Sequence, residues 1–196
     1  MVRLAMVQGR LSSEMAGKFQ YFPIHNWRSE FHKAKELGFD SIEWIISDFS
    51  NPIFDAVSQK KIIKLVEESG LEISSISLDL LMPKTLDLFS TQEIGWIFEN
   101  INKISKRVKL SRVSIPIEET CGIRDPQTFN KVQNKLKEIL SLNYFEGYSI
   151  AIETDMTPSA IRHFLMNKSL QNVGVLLDIG NAAAYGYRLE DYIAQV

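Results

Sequence analysis

The segment Val173–Leu177 is a continuous apolar run, and Asp178 follows it directly. A short run with almost no polar alternation predicts a strand buried on both faces, as in a parallel sheet covered by helices. The carboxyl end of such a strand is where parallel α/β folds bind ligands and place catalytic groups. Asp178 is therefore either a site residue or the N-cap of a following helix, because aspartate is a common cap.

A second apolar segment, Ser149–Ile152, also ends in a carboxylate, that of Glu153. Glutamate is a poor N-cap, so capping explains Glu153 less well than it explains Asp178. Two buried strands that each end in a carboxylate favour a site at one edge of a parallel sheet.

The whole chain repeats the order strand, loop, helix. Six strands are predicted, at Val2–Gly9, Ser41–Ile46, Glu72–Leu78, Arg112–Ile117, Tyr148–Glu153 and Val173–Asp178. Their starts lie roughly 34 residues apart, the size of one βα unit. Two folds accept this pattern: a (β/α)₈ TIM-type barrel, incomplete here at about six βα units, and a six-stranded doubly wound parallel sheet.

Capping residues mark where the intervening helices begin. Helices are predicted after Asn26, Asp55, Ser90, Asp125 and Thr157, and a sixth from Leu189 to Val196. The first is expected to bury Trp27, Phe31, Ala34 and Leu37, and the fifth to bury Ile161, Phe164 and Leu165. We expect residues 1–196 to form a single TIM-barrel-like domain that lacks the last two βα units.

Composition excludes several classes of protein. The formal net charge is −2 and no basic block is present, which argues against nucleic-acid and membrane partners. Cys121 is the single cysteine, so an internal disulfide framework and a cysteine zinc cluster are excluded, and a reducing cytoplasm is the expected location. Neither a Gly-x-Gly-x-x-Gly nor a Gly-Lys-Ser/Thr motif occurs, which argues against nucleotide binding through either kind of loop.

Polar side chains stand at the predicted strand exits, which converge at one end of the sheet in either fold. They are Gln8, Arg10, Glu43, Asp79, Glu118, Glu153, Asp178 and Asn181. Two carboxylates on neighbouring strands are close enough to share a hard divalent cation. Such a cation stabilises an enediolate, and an adjacent carboxylate moves a proton between neighbouring carbons. Glu153 and Asp178 follow two successive predicted strands and are the pair that suits this chemistry, with Glu153 as the predicted catalytic group.

The other six residues are candidate substrate contacts, and three of them keep alternatives. Glu43 either faces the site or is a solvated outward carboxylate. Asp79 either takes part in binding or is solvated in a loop. Arg10 either holds a substrate phosphate or carboxylate, or is an ordinary surface arginine.

Four segments together resemble the xylose-isomerase-like TIM-barrel superfamily, and within it the bacterial sugar-phosphate isomerase/epimerase-like proteins. They are Gln8–Ser12, Gly38–Trp44, Ala151–Asp155 and Leu177–Ala182. The resemblance implies a (β/α)₈ barrel that binds Mn²⁺, Mg²⁺, Co²⁺ or Zn²⁺ through residues of strands five to eight. Glu153 and Asp178 match the first two ligands, and the other two would lie beyond Val196.

The chain departs from the family pattern in three respects. Many relatives carry Asp-x-x-His after strand six, where this chain has Asn181. The His-Ile-Lys-Asp type of segment on strand seven is absent. The endonuclease IV branch needs several histidine ligands, whereas this chain has only His25, His32 and His163, which argues against cleavage of DNA at abasic sites.

The function predicted from these observations is metal-dependent isomerisation or epimerisation of a sugar or sugar phosphate through an enediolate. One alternative is a truncated, non-catalytic sugar-binding or assembly protein, and a more remote one is endonuclease IV-like DNA repair. Six strands would leave two apolar edges, at Leu4–Val7 and Val173–Leu177. Because such edges pair with other chains, we expect a homo-oligomer.

Overall fold

The structure, a computed structural model, describes residues 3–13, 20–142, 145 and 147–195. Val2 and Val196, which begin the first predicted strand and end the last predicted helix, lie outside these ranges. The strands are β1 (Ala5–Val7), β2 (Ser41–Ile45), β3 (Glu72–Ser77), β4 (Arg112–Ile117), β5 (Ser149–Thr154) and β6 (Val173–Leu176). The α-helices are α1 (Trp27–Glu36), α2 (Ala56–Ser69), α3 (Thr91–Val108), α4 (Pro126–Ser141), α5 (Pro158–Leu165), α6 (Ile179–Ala184) and α7 (Leu189–Ile193).

Strand order decides between the two predicted folds. The six strands form one open sheet in the order β1-β2-β3-β4-β5-β6, and the pairs β1–β2, β2–β3 and β5–β6 are parallel. A doubly wound sheet reverses its strand order at a switch point, whereas a TIM-type barrel adds each strand beside the preceding one. The barrel-type prediction is therefore confirmed, and the doubly wound alternative is wrong.

The chain divides into two compact units. The first comprises Met1–Leu80, Ile97–Val113 and Glu146–Tyr148, and the second comprises Leu81–Trp96, Ser114–Phe145 and Ser149–Val196. Each is taken in turn below. Among the residues that the structure describes, no helix combines the length and the apolar content needed to cross a membrane.

The first unit is built on an aromatic cluster around Trp44. The Trp44 ring lies 5.4 Å from that of Trp27 and 5.0 Å from that of Phe22, measured between centroids. Trp27, Phe31 and Ala34 are buried, as their spacing along α1 predicts. Leu37 is 64% exposed, so its predicted burial is wrong. The reason is that α1 ends at Glu36, which takes Leu37 out of the apolar face.

The second unit has its core along α4 and α5. Val132, Leu136 and Ile139 of α4 are buried, as are Ile161 and Phe164 of α5. Leu165, which the sequence also predicts to face inward, is only half-buried.

Strand β6 differs from its prediction. It ends at Leu176, two residues earlier than expected, and α6 begins at Ile179. Gly174 is exposed and Val175 and Leu176 are half-buried, so the prediction of a strand buried on both faces is wrong. The physical reason is that β6 is the last strand in the sheet order and has a neighbouring strand on one side only.

Candidate active site

In the first unit, Glu43 shares a sheet face with residues of the two adjacent strands. Glu43 lies opposite Val7 of β1 and Ser75 of β3 in the parallel register, and its carboxylate accepts a 2.6 Å hydrogen bond from Ser75 Oγ. Because side chains alternate along a strand, this face is opposite to that of Trp44, which packs on Trp27 of α1. Glu43 therefore does not point toward the helix-covered side of the sheet.

The other three predicted residues of the first unit differ in exposure. Gln8 is buried, and neither atom of its side-chain amide has a hydrogen-bond partner among the residues that the structure describes. Arg10 lies at the surface. Asp79 is half-buried and accepts hydrogen bonds from Ser77 Oγ at 2.6 Å and Gln20 Nε2 at 2.8 Å. Burial raises the pKa of Asp79 against the effect of these bonds, and a role for Asp79 in binding stays a prediction.

The sequence analysis overlooked Glu30, which lies on α1 and is fully buried. Its carboxylate accepts hydrogen bonds from the backbone N–H groups of Gly9, at 2.9 Å, and Leu11, at 3.0 Å. It also accepts a 2.9 Å bond from Ser12 Oγ. A buried charge with this many donors fixes the loop after β1. A charged residue on the apolar face of a helix was the signal that could have revealed it.

In the second unit, Glu118 lies at the exit of β4 and is 7% exposed. One carboxylate oxygen, Oε2, accepts a 2.9 Å hydrogen bond from Asn181 Nδ2. Burial, and then the negative charges of Glu119, Asp155 and Asp178, raise the pKa of Glu118 to about 7, although the bond from Asn181 opposes this shift. The structure thus brings together two predicted site residues, Glu118 and Asn181, in a negatively charged environment.

Asp178 is the N-cap of α6, so the capping alternative is observed. Its Oδ1 accepts a 2.9 Å hydrogen bond from the backbone N–H of Asn181. Oδ2 has no hydrogen bond among the residues within the described ranges, and the residue is exposed. Capping occupies one carboxylate oxygen and leaves the other able to bind a ligand.

Glu153 is half-buried near the end of β5. It stands opposite Leu176 of β6 in the parallel register. Opposed residues of neighbouring parallel strands share a sheet face, and Asp178 follows Leu176 by two residues, which is the period of one face.

Asp155, which is not among the predicted site residues, acts on Glu118 through its negative charge. Asp155 is buried, and its Oδ2 accepts hydrogen bonds from the backbone N–H of Glu119, at 2.9 Å, and from Arg124 Nη2, at 2.5 Å. Its Oδ1 has no partner in the described part of the chain. The sequence signal that could have revealed Asp155 is the two-residue alternation of side chains along a strand, because Asp155 follows Glu153 by two residues.

The donor chemistry of this unit suits a hard divalent cation, because such ions prefer carboxylate oxygens. Between residues 3 and 195, with the gaps stated above, no three His, Cys, Asp or Glu side chains are grouped so that they could hold a metal ion.

Comparison with solved structures shows the fold. A xylose isomerase-like TIM-barrel protein from Mycobacterium smegmatis, in complex with magnesium, matches with a TM-score of 0.63 and 17% identity. That match covers 81% of this chain and 58% of the Mycobacterium protein. The fold is that of the xylose isomerase-like TIM barrels.

Two further structures have this xylose isomerase-like fold in common with the chain. A D-psicose 3-epimerase in the presence of D-fructose matches with a TM-score of 0.71 and 14% identity, over 99% of this chain and 69% of its own. A family 2 AP endonuclease from Brucella melitensis matches with a TM-score of 0.69 and 14% identity, over 98% and 75%. No protein-family model and no curated protein matches the sequence.

Proposed function

We propose that the chain is a metal-dependent isomerase or epimerase that moves a proton between adjacent carbons of a sugar or sugar phosphate through an enediolate. The observation that carries this proposal is the register of β5 and β6. It puts Glu153 opposite Leu176, two residues before Asp178, in the same unit as Glu118, whose pKa is about 7. The D-psicose 3-epimerase among the structural neighbours supports this reaction class, and the magnesium complex supports a divalent metal.

Glu153 would have two roles, and the other site residues would have one each or share them. Glu153 takes and returns the proton at the carbon beside the carbonyl group, as a positioned general base does. Glu118 and Asn181 bind substrate hydroxyl groups. Glu153 and Asp178 hold a divalent cation, which when bound supplies positive charge that stabilises the negative oxygen of the enediolate. Glu118 also suits proton exchange near neutral pH, since its pKa of about 7 lets it both donate and accept a proton.

In the first unit, taken by itself, the proposed substrate-binding residues are Gln8, Arg10, Glu43 and Asp79. Gln8 supports this role, because a buried amide without a partner among the described residues can bind a hydroxyl group. Arg10 would bind the phosphate of a phosphorylated sugar. The buried Cys121 suits a reducing compartment, so we propose a cytoplasmic protein, and a homo-oligomer remains our prediction.

Calorimetric titration with Mn²⁺ tests the metal ligands independently of catalysis. The informative variants are Asp178→Asn, which keeps an N-cap residue but loses the charge, and Glu153→Gln. Both should weaken Mn²⁺ binding at least tenfold. Asp125→Asn is the matched control, because Asp125 caps α4 in the same unit, and it should bind Mn²⁺ as the wild type does. Equal binding by the wild type and Asp178→Asn, or no binding by the wild type, would remove the proposed metal site.

Solvent exchange tests the chemistry. In D₂O with Mn²⁺, the protein should place deuterium on the carbon beside the carbonyl group of its substrate, observed by NMR. D-Fructose, D-psicose and D-tagatose are suitable probes because sugar epimerases act on such compounds, and D-fructose 6-phosphate tests for a phosphorylated substrate. Binding of a sugar without exchange would instead favour the non-catalytic sugar-binding alternative.

A further inference from the structure

The residue after Glu118 has an unusual backbone conformation. Glu119 has a φ of 48°, in the left-handed region that residues with a Cβ atom rarely adopt. Such a conformation is strained and persists only where the surroundings impose it. Glu119 belongs to the second unit and directly follows the carboxylate whose pKa is about 7, so whatever holds Glu119 also limits where Glu118 can point.

Two side chains hold the backbone of Glu119. Asp155 Oδ2 accepts the N–H of Glu119 at 2.9 Å. Arg124 Nη2 donates to the C=O of Glu119 at 2.9 Å and to Asp155 Oδ2 at 2.5 Å. Both polar groups of one residue are thus bound by a single ion pair. We call Asp155 and Arg124 the Glu119 clamp.

A glycine makes room for the clamp. A Cβ atom added to Gly122 would lie 2.7 Å from Arg124 Nη2 and 3.1 Å from Asp155 Oδ1. The first distance is too short for any real contact, so one member of the ion pair would have to move. Gly122 has a φ of −68°, a value open to any residue, and the need for glycine there is steric.

We propose that the Glu119 clamp is a positioning device for the active site, which fixes the strained exit of β4 so that the Glu118 carboxylate meets the side-chain amide of Asn181. This inference rests on the proposed function, in which Glu118 contacts the substrate. Asp155 and Arg124 are positioning residues, since they act through Glu119 and Glu118 rather than on a reacting atom. Asp155 is buried, in keeping with such a role.

The clamp also contributes to the charge around Glu118. The titratable groups that interact with Glu118 are Glu119, Cys121, Asp155, Asp178 and Tyr185. Removing the negative charge of Asp155 takes away one cause of the raised pKa of Glu118, and releasing Glu119 lets water reach the carboxylate. Both effects lower the pKa of Glu118.

Asp155→Asn is the variant that tests the clamp, observed in the metal-free protein by NMR. The side-chain amide protons of Asn181 should lose the downfield shift that a bond to a carboxylate produces, and the titration midpoint of Glu118 should fall by about one pH unit or more. Adding Glu119→Asn should restore part of the Asn181 shift, because asparagine tolerates the left-handed conformation. Asp125→Asn, in the same unit, should change neither signal.

Gly122→Ala provides a second route if Asp155→Asn does not fold. It displaces the ion pair without removing a charge, and should move the Asn181 signal in the same direction by a smaller amount. A folded Asp155→Asn protein, or a folded Gly122→Ala protein, with unchanged Asn181 and Glu118 signals would overturn the inference. These signals need neither metal nor substrate, so the clamp can fail while Mn²⁺ binding and solvent exchange succeed, and the reverse.

Discussion

Each unit contains a buried glutamate, Glu30 in the first and Glu118 in the second, and the surroundings of the two side chains differ sharply. In the first unit, Glu30 is enclosed by donors from Gly9, Leu11 and Ser12. In the second, one donor from the described residues, Asn181, bonds to Glu118, and the negative charges of Glu119, Asp155 and Asp178 act on it. The carboxylate of Glu30 therefore fixes a loop through several hydrogen bonds, whereas that of Glu118 accepts few hydrogen bonds and lies among negative charges.

The difference teaches that burial alone does not identify a functional carboxylate. A buried charge is tolerated when hydrogen bonds replace its hydration, as they do for Glu30. Where donors are few and like charges are near, the ionised form is costly and the pKa rises, as for Glu118. Under-satisfied acids of this kind concentrate at functional sites, which is why we assign a role in binding to Glu118 and a structural role to Glu30.

The largest expected effect is the loss of stability on replacing Glu30. Glu30→Gln places an amide, which has only one acceptor atom, against several donors, and should lower the free energy of unfolding by about 3 kcal/mol. Urea denaturation at pH 7 measures this. Glu36→Gln, at the exposed end of the same helix, is the control and should change stability very little. A difference of under about 0.5 kcal/mol between the two variants would contradict the structural role of Glu30.

Replacing Glu118 should raise the free energy of unfolding at high pH, whereas replacing Glu30 should lower it. Its pKa is raised from 4.5 to about 7, so the folded protein binds this proton more tightly than the unfolded chain does. The resulting stability is fully present below pH 4.5 and is lost as the pH rises through about 7.

Glu118→Gln, which keeps an oxygen for Asn181, should remove this pH dependence. At pH 8 the variant should be more stable than the wild type by about 2 kcal/mol, and at pH 4.5 the two should be similar. Urea denaturation across this range is the measurement. A Glu118→Gln protein that is less stable than the wild type at pH 8 would show that Glu118, like Glu30, is a well-satisfied structural carboxylate.

A smaller effect is expected at Gly122. Gly122→Ala crowds Arg124 and Asp155, and because the guanidinium can shift, the cost should be about 1 kcal/mol. Gly174→Ala is a suitable control in the same unit, since the nearest atom to its added Cβ lies 3.8 Å away, in ordinary contact. Equal melting temperatures for the two variants would argue that the ion pair does not occupy the place described.

Local features of the fold were predictable from the sequence. Asp125 followed by Pro126 predicted the start of α4, and Asp125 accepts the backbone N–H groups of Gln127 and Thr128 as a cap should. Gly70, directly after α2, has a φ of 68°, the left-handed conformation in which a glycine commonly ends a helix. These signals are readable because each involves residues within a few positions of one another.

Features that depend on distant partners were not predictable in this way. Glu30 binds a loop about 20 residues earlier in the chain, and Arg124 binds Asp155, 31 residues later. No local spacing encodes either contact. The burial of β6 was predicted wrongly for a related reason, because whether an apolar strand has neighbours on both sides is set by its place in the sheet order and not by its own residues.

The smallest expected effect concerns two helix caps that should behave alike in the two units. Asp55 caps α2 in the first unit by accepting the N–H of Ser58, and Asp125 caps α4 in the second. Replacing either by alanine should lower the melting temperature at pH 7 by about 2–4 °C.

Hydrogen bonds from Ser58 and from Thr128 lower the pKa of Asp55 and of Asp125 respectively. The stability these caps give is therefore present above their ordinary pKa and lost as the pH falls through the lowered value, the reverse of Glu118. Melting curves at pH 7 and pH 3 should show the differences from wild type shrinking together for Asp55→Ala and Asp125→Ala, and a difference that grew at pH 3 in the second unit alone would mean that Asp125 belongs with the under-satisfied acids around Glu118.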